Sequence, residues 1–332
     1  MEHTLTLKPV SRLPISEIIQ PEGGTVSTQR AFIQANTVEG SYEEIKDRHI
    51  IPVFVKDNTT LISHADFIDA TAEIAASVFQ GDQLLKPAIR LSHPIKGRIP
   101  DARDKPADQL AEHEKTLYYE RMAFAIEIPT IHDNVDENTL SLTVGGVKSY
   151  SQDNLSARKG ADEHFRLFIG FQNKVCTNLC ISTDGFMNDL KVSSIGHLKA
   201  CIRLLFEDYN ASFNLHGLKE FANYSIREDQ FAQLIGRCRM YPFLPKMTQN
   251  DIPQLLFGDT QLSAVVKDYY RDESFCKDSE GNINLWKLYN LFTGANKTTY
   301  IDMFLERSVN AFQFVHSVKH ALSSGSNNWY LG

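Results

Sequence analysis

Alternating apolar and polar residues mark the first half of the chain and predict β-strands there. Four such runs lie between residues 87 and 171, separated by turns rich in Pro and Asp: A-I-R-L-S, M-A-F-A-I-E-I-P, T-L-S-L-T-V-G-G-V and H-F-R-L-F-I-G-F. Runs of period two joined by turns favour antiparallel pairing. A β-branched run at residues 49–55 predicts a further strand, and Ser63 is expected to cap the helix that follows.

Apolar residues recur at helical spacing after Ser193 and predict a mainly helical second half. The predicted helices span residues 195–209, 215–224, 228–240, 262–270 and 285–292, and a long final helix follows them. One more, a polar amphipathic helix, is predicted at residues 101–119. The chain is therefore predicted to be an α+β protein, with an antiparallel sheet in its β-rich N-terminal half and a mainly helical C-terminal half.

Three regions follow from this pattern. Residues 1–41 contain three prolines and a Gly pair without a sustained apolar period, so they are expected to form an extended or flexible arm. Residues 42–192 form the sheet region, and residues 193–332 form a helical region that we expect to pack on the sheet. The length of 332 residues exceeds what one hydrophobic core usually serves, so two lobes are favoured.

Composition narrows the class of protein. The formal net charge is -7, which lacks the basic excess of a protein that mainly grips phosphate backbones. The five cysteines are an odd number at irregular spacing, which indicates reduced thiols in a cytoplasm and not a secreted disulfide framework. No signal peptide and no apolar run of membrane-spanning length is present, so no membrane association is expected.

The segment at residues 168–185, F-I-G-F-Q-N-K-V-C-T-N-L-C-I-S-T-D-G, has the most distinctive chemistry. Its pattern predicts a strand, a polar turn and a second strand. The turn concentrates hydrogen-bonding side chains, and the candidate binding residues there are Asn173, Lys174, Thr177 and Asn178. The alternative is a tight hairpin whose Asn side chains only stabilise the turn.

Two other hypotheses for this segment involve Cys176, one as a catalytic nucleophile and one as a zinc ligand. As a nucleophile it would need a base, for which His164 and His197 are the candidates. With Cys180 it has a spacing found in some zinc sites, but four extended residues span about 13 Å, too far for one ion. Buried structural thiols are the simpler alternative. No metal and no cofactor is assigned.

Basic residues concentrate between residues 86 and 105, where six Lys or Arg face two acids. The candidates for anion or nucleic-acid binding are Arg90, Lys96, Arg98 and Arg103. The alternative is a solvated strand pair whose cations protect an edge. A third segment, T-G-A-N-K-T-T at residues 293–299, lacks the first glycine of a P-loop and predicts a turn between helices, with Gly294 as the C-cap and Thr298 or Thr299 as the next N-cap.

The chain resembles a bacterial family of domains of unknown function, number 3871, found in plasmid- and transposon-related gene neighbourhoods. The stretches that carry the resemblance are H-I-I-P-V-F-V-K-D-N, R-L-S-H-P-I-K-G-R-I-P, F-I-G-F-Q-N-K-V-C-T-N-L-C, I-G-R-C-R-M-Y and N-I-N-L-W-K-L-Y-N-L-F-T-G-A-N-K. It is more distantly similar to phage and plasmid-like proteins with a V-C-T-N element and a W-x-x-x-N pattern, represented by Val175 to Asn178 and by Trp286 with Asn290.

The resemblance implies a cytoplasmic accessory protein of mobile DNA and no catalytic residue. Three hypotheses remain open: a nucleic-acid-associated protein, a Cys-dependent enzyme centred on Cys176, and a protein-binding inhibitor of a host system. The partner is expected to be DNA or a protein of the host or the mobile element. The pattern leaves the oligomeric state open.

Overall fold

A computed structural model describes residues 31–48, 61–154 and 162–332. The strand predicted at residues 49–55 lies outside these ranges, as does most of the predicted arm. The last part of that arm belongs to the body of the protein, because Phe32 and Ile33 are buried and the short strand β1 (Val38–Gly40) pairs with the sheet.

An antiparallel sheet of seven strands forms the centre of the described residues. The four strands expected from the alternating runs are all present. The further strands of this sheet are short. The strands besides β1 are β2 (Ala88–Leu91), β5 (Arg121–Val135), β6 (Asn138–Ser149), β7 (Glu163–Asn173), β8 (Leu179–Cys180) and β9 (Phe186–Val192). Neighbouring strands follow the order β1-β2-β5-β6-β7-β8, and β9 also pairs with β7.

Helices cover both faces of this sheet, which explains why β6 is buried along nearly its whole length. Close packing requires glycine at the centre of β6. A Cβ on Gly145 would lie 2.1 Å from the carbonyl oxygen of Phe124 on β5, and one on Gly146 would lie 2.4 Å from the ring of Phe67. Only hydrogen fits at these two positions.

The helical half is confirmed, with each predicted helix present. Helix α2 begins where expected, because the Ser63 side chain accepts from the backbone of Asp66. The helices are α1 (Tyr42–Arg48), α2 (His64–Val78), α3 (Tyr150–Asn154), α4 (Ile195–Asp208), α5 (Ala211–Phe221), α6 (Glu228–Met240), α7 (Lys246–Asn250), α8 (Asp259–Arg271), α9 (Leu285–Asn296) and α10 (Ile301–Ser324).

Helix α10 connects the two halves. Its first turns bury Phe304 and Leu305 against one face of the sheet, and its later turns bury Phe314 and Val318 in the core shared with the other helices. Two short strands, β10 (Ser225–Ile226) and β11 (Ile283–Asn284), pair at the base of this helical core. Among the described helices, none combines the length and the apolar content needed to cross a membrane.

The prediction of an amphipathic helix at residues 101–119 is wrong. Short 3-10 turns occupy residues 100–114, and β4 (Lys115–Tyr119) then pairs with β3 (Pro94–Arg98) as a separate two-stranded ribbon. Three of the five residues of K-T-L-Y-Y are β-branched or aromatic, and Tyr118 stands opposite Ile95 across the ribbon. A partner strand and Pro106 therefore outweigh the weak helical period.

The turn between the last two helices is present, but its predicted caps were wrong. Helix α9 continues through Gly294 to Asn296 and is capped by Lys297, and the residue before α10 is Tyr300. Gly294 is therefore an interior residue of a helix. This places both Gly294 and Lys297 on the wall of the cleft described next.

Candidate functional site

A cleft of about 850 Å³ opens between the turn that joins β7 to β8, the C-terminal end of α8 and the middle of α9. This size is within the range of small-molecule sites. Three of its residues, Lys174, Thr177 and Asn178, belong to the polar turn singled out from the sequence, and the fourth candidate of that turn, Asn173, lies behind them. The lining residues are Gln34, Lys174, Val175, Cys176, Thr177, Asn178, Lys267, Asp268, Arg271, Asp272, Glu273, Ser274, Phe275, Asn290, Leu291, Gly294 and Lys297.

The turn is held by its own polar groups, as the hairpin alternative predicted. The side-chain oxygen of Asn173 accepts from the backbone of Val175 at 2.9 Å, which is an Asx turn. The backbone of Thr177 donates to the carbonyl of Asn173 at 2.7 Å. Thr177 has a φ of 59°, a left-handed conformation that is uncommon for a β-branched residue. The turn is thus a shaped element, and it faces α9 across the cleft.

Helix α9 supplies the opposite side of the cleft floor. The side chain of Asn284 caps its first turn, and the indole nitrogen of Trp286 donates to the Asn138 side chain on β6 at 2.8 Å. Asn290 lies one turn after Trp286, and its side-chain nitrogen donates to the Trp286 carbonyl at 2.9 Å. The helix is therefore fixed in rotation, with the Asn290 oxygen directed at the turn.

Three buried asparagines meet at the floor. The Asn290 side-chain oxygen accepts from the side-chain nitrogens of Asn173 and Asn178, both at 3.3 Å, and Asn178 also donates to the Asn290 carbonyl at 3.1 Å. The Asn290 donation to Trp286 fixes the orientation of its amide, and that orientation in turn fixes those of the other two. We call Asn173, Asn178 and Asn290 the amide cluster.

One acceptor of the amide cluster has no partner within the described residues. Asn178 lies on the cleft wall, and its relative exposure is 2%. Its side-chain oxygen is buried and makes no hydrogen bond. A Cβ on Gly294 would lie 4.0 Å from this oxygen. Glycine at this position places no side chain between the oxygen and the cleft wall. A buried acceptor without a donor costs about 1–3 kcal/mol.

Lys297 closes the floor at the end of α9. Its ammonium group is buried and donates to the carbonyl of Cys176 and, at 2.9 Å, to the hydroxyl of Thr177. Its own carbonyl accepts from the backbone of Gln34 and Ala35, at 2.8 and 3.1 Å. The lysine therefore ties the turn to α9, and the N-terminal segment covers the outside of this junction.

Charged residues form the upper walls. Lys267 and Arg271 are exposed and lie one turn apart at the end of α8. Asp272 follows them, and one of its carboxylate oxygens accepts from the backbone of Ser274 and Phe275, both at 2.8 Å. The turn contributes Lys174, which pairs with Glu127 at 3.3 Å. Both signs of charge thus line the cleft, and the two cations of α8 are exposed to solvent.

Cys176 lies in the floor with its thiol 3.9 Å from the Asn290 side-chain oxygen. Burial raises the pKa of Cys176, although the backbone of Asn178 and the charge of Lys297 lower it in part. Burial also raises the pKa of Cys180. A raised thiol pKa disfavours the thiolate that nucleophilic catalysis needs.

The histidines proposed as bases lie elsewhere. His164 is at the far end of β7 from Asn173, about 30 Å along the strand, and its ring faces Asp153 at 3.6 Å. His197 is exposed in the first turn of α4. No histidine lines the cleft within the described residues. In the same part of the chain no three His, Cys, Asp or Glu side chains are grouped to hold a metal ion.

The basic patch is separate from the cleft. Arg90 is half-buried and donates to the backbone and side chain of Thr37, and burial lowers its pKa. Arg98 donates to the carbonyl of Lys105 and so closes the loop after β3. Lys96 is exposed on the ribbon, and Arg103 lies 3.6 Å from Asp104.

The folded ribbon and its loop carry less net positive charge than the segment at residues 86–105 by itself. Residues 94–115 carry five Lys or Arg and five Asp or Glu, because the loop that folds back beside β3 brings acids with it. Lys105 pairs with Glu114, and Lys115 pairs with Glu112 at 2.5 Å. The charge that looked like a patch along the sequence is therefore largely neutralised in space.

Sequence reasoning missed the half of the site that lies on α8 and α9. Asn290 was part of the W-x-x-x-N resemblance and Lys297 part of the rejected P-loop comparison, but neither was placed in a site. Lys267 and Arg271 carried no signal beyond helical spacing. A sequence separation of 112 residues between Asn178 and Asn290 conceals their contact.

Comparison with known proteins gives one match. A family model described as "Domain of unknown function, B. Theta Gene description (DUF3871)" matches residues 15–331. Neither the curated proteins nor the solved structures contain a significant match.

Proposed function

We propose that this chain, which belongs to the domain-of-unknown-function family DUF3871, is a binding protein for a small polar molecule held in the cleft. The amide cluster is the observation that carries this proposal. Its three side chains are buried, mutually oriented and bound to two separate elements, and they present an unused acceptor beside a glycine. Such a preorganised polar floor under a cleft supports ligand recognition.

Binding is favoured over catalysis by Cys176. The thiol is buried, its pKa is raised, and it donates toward Asn290 where an active nucleophile would face a base. Within the described residues the cleft wall offers no histidine to accept its proton. Cys176 is therefore assigned to the floor of the cleft as a packing residue.

Nucleic-acid association is the second candidate. It is supported by the resemblance to phage and plasmid-like proteins, which also supports a cytoplasmic role linked to mobile DNA. The ribbon adds a structural reason, because Lys96, Arg98 and Lys115 share one of its faces. It ranks second because acids neutralise that face and because the chain is acidic as a whole.

Gly294→Ala tests the first proposal. The added methyl group would lie 3.8 Å from the Asn178 nitrogen, an ordinary contact, so the fold has room for it. Alanine stabilises a helix interior by about 1 kcal/mol relative to glycine. The methyl group fills the space beside the unused acceptor. We therefore expect a variant that is at least as stable as the natural chain and impaired in binding.

Gly236→Ala is the matched control, since Gly236 lies in α6 with nothing within 4 Å of an added Cβ. The three proteins are heated with sugars, amino acids, carboxylates and phosphate esters in turn. A compound that binds in the cleft raises the melting temperature of the natural chain and of Gly236→Ala but not of Gly294→Ala. If every active compound affects all three equally, or if none is active, the proposed binding function is wrong.

A further inference from the structure

Resting on the proposed binding function, we infer the chemical class of the ligand: a phosphate ester of a hydroxyl-rich molecule, of the sugar phosphate type. Its phosphate binds Lys267 and Arg271, the two exposed cations of the cleft lining. Its hydroxyl groups donate to the amide cluster and to the carboxylates of the wall. The inference rests on which donors and acceptors the cleft leaves available.

The cations of α8 suit a phosphate. Within the described residues neither Lys267 nor Arg271 pairs with a carboxylate, whereas the other two cations of the cleft lining are engaged, Lys174 with Glu127 and Lys297 with Thr177. The two side chains project from one helix face at i and i+4. An arginine fork and a lysine ammonium group together match the oxygens of a phosphate.

The acceptors require a ligand that also donates. The Asn178 oxygen is buried and lacks a donor within the described residues, and Gly294 leaves space beside it. Asp272 and Glu273 add carboxylate oxygens to the wall. A bare phosphate ion has little capacity to donate to such groups, whereas sugar hydroxyls donate and accept. The cleft therefore favours a molecule with an anionic end and several hydroxyl groups.

Among the described residues, the cleft lining offers no exposed aromatic face on which a nucleobase could stack. Of the lining residues only Phe275 is aromatic, and it is 4% exposed, so its ring presents no face for stacking. Recognition of single-stranded nucleic acid relies on exposed aromatic faces. This difference separates a sugar phosphate from a nucleic-acid strand as the occupant.

Calorimetric titration of the full chain with ribose 5-phosphate, ribose and inorganic phosphate tests the inference. We expect ribose 5-phosphate to bind at least about tenfold more tightly than either half, because both sets of contacts form only with the whole molecule. Replacing Lys267 and Arg271 by Gln is expected to remove at least about tenfold of the affinity for ribose 5-phosphate and for phosphate. Gly294→Ala is expected to weaken ribose 5-phosphate more than phosphate.

Lys199→Gln with Arg203→Gln is the matched control. These residues have the same types and the same i, i+4 spacing on α4, but they bind Glu73 and Glu207 outside the cleft. The control is expected to bind ribose 5-phosphate as the natural chain does. The inference is overturned if ribose 5-phosphate binds no more tightly than phosphate, or if the two double variants lose equal affinity.

The two proposals fail in different ways. If another class of polar compound stabilises the natural chain but not Gly294→Ala, while ribose 5-phosphate does not bind, the binding function stands and the ligand class is wrong. If no compound distinguishes Gly294→Ala from Gly236→Ala, both proposals are wrong.

Discussion

Replacing Asn290 by alanine should destabilise the protein more than any equivalent change on the same helix. The side chain of Asn290 accepts from the side chains of Asn173, Asn178 and Cys176 and donates to the carbonyl of Trp286. It therefore joins α9 to the β7–β8 turn across more than one hundred residues of sequence.

The magnitude follows from what the substitution leaves behind. Asn178 keeps a bond to the Asn290 carbonyl, but the Asn173 side-chain nitrogen loses its acceptor among the described residues and becomes a buried donor without a partner. That orphan costs about 1–3 kcal/mol, and the lost bonds of Asn178 and Trp286 cost about 0.5–1.5 kcal/mol each. We therefore expect Asn290→Ala to lower the free energy of unfolding by about 2–6 kcal/mol.

Asn296→Ala is the control, because Asn296 is the same residue type, equally buried and on the same helix. Its nitrogen donates to the Phe304 carbonyl and the Ser308 hydroxyl, and Ser308 already donates to that same carbonyl. Since neither acceptor is left without a partner, we expect a cost of about 1–2 kcal/mol.

Urea unfolding followed by tryptophan fluorescence measures both variants. Trp286 is fully buried one turn from Asn290, so its emission reports the loss of packing around the cluster. Comparison of midpoints at equal slopes gives the difference in stability. A cost for Asn290→Ala no larger than that for Asn296→Ala would refute the idea that the amide cluster organises the site.

Two further predictions concern the alternatives. Iodoacetamide at pH 8 should modify the half-buried Cys201 well before the fully buried Cys180, because burial raises the pKa of Cys180 more strongly. Peptide mass spectrometry measures the order of labelling, and earlier labelling of Cys180 would contradict the described core. The double variant Lys96→Ala with Lys115→Ala should bind DNA at low salt almost as the natural chain does, because the ribbon is neutral as a whole. A gel-shift titration measures this binding, and a strong, salt-sensitive loss would favour the nucleic-acid hypothesis.

Local pattern predicted most of the elements. The strand runs of β5, β6 and β7 alternate along long segments, and the stripe of α10 repeats over six turns, so each element's period outweighs competing signals. The prediction failed at residues 101–119, where the period was weak and β3 supplied a partner strand. Pairing between distant segments is a tertiary effect that no local window contains.

The polar turn was also read correctly as a strand, a turn and a strand, because Asn173 satisfies a backbone group only two residues away. Its chemistry was not readable in the same way. The sequence by itself determined the long strands, the helices and the turn, since the period of each depends on neighbours along the chain. Only the tertiary structure decided that the turn meets Asn290, Lys297 and the cations of α8, because those contacts form when the helical half packs against the end of the sheet.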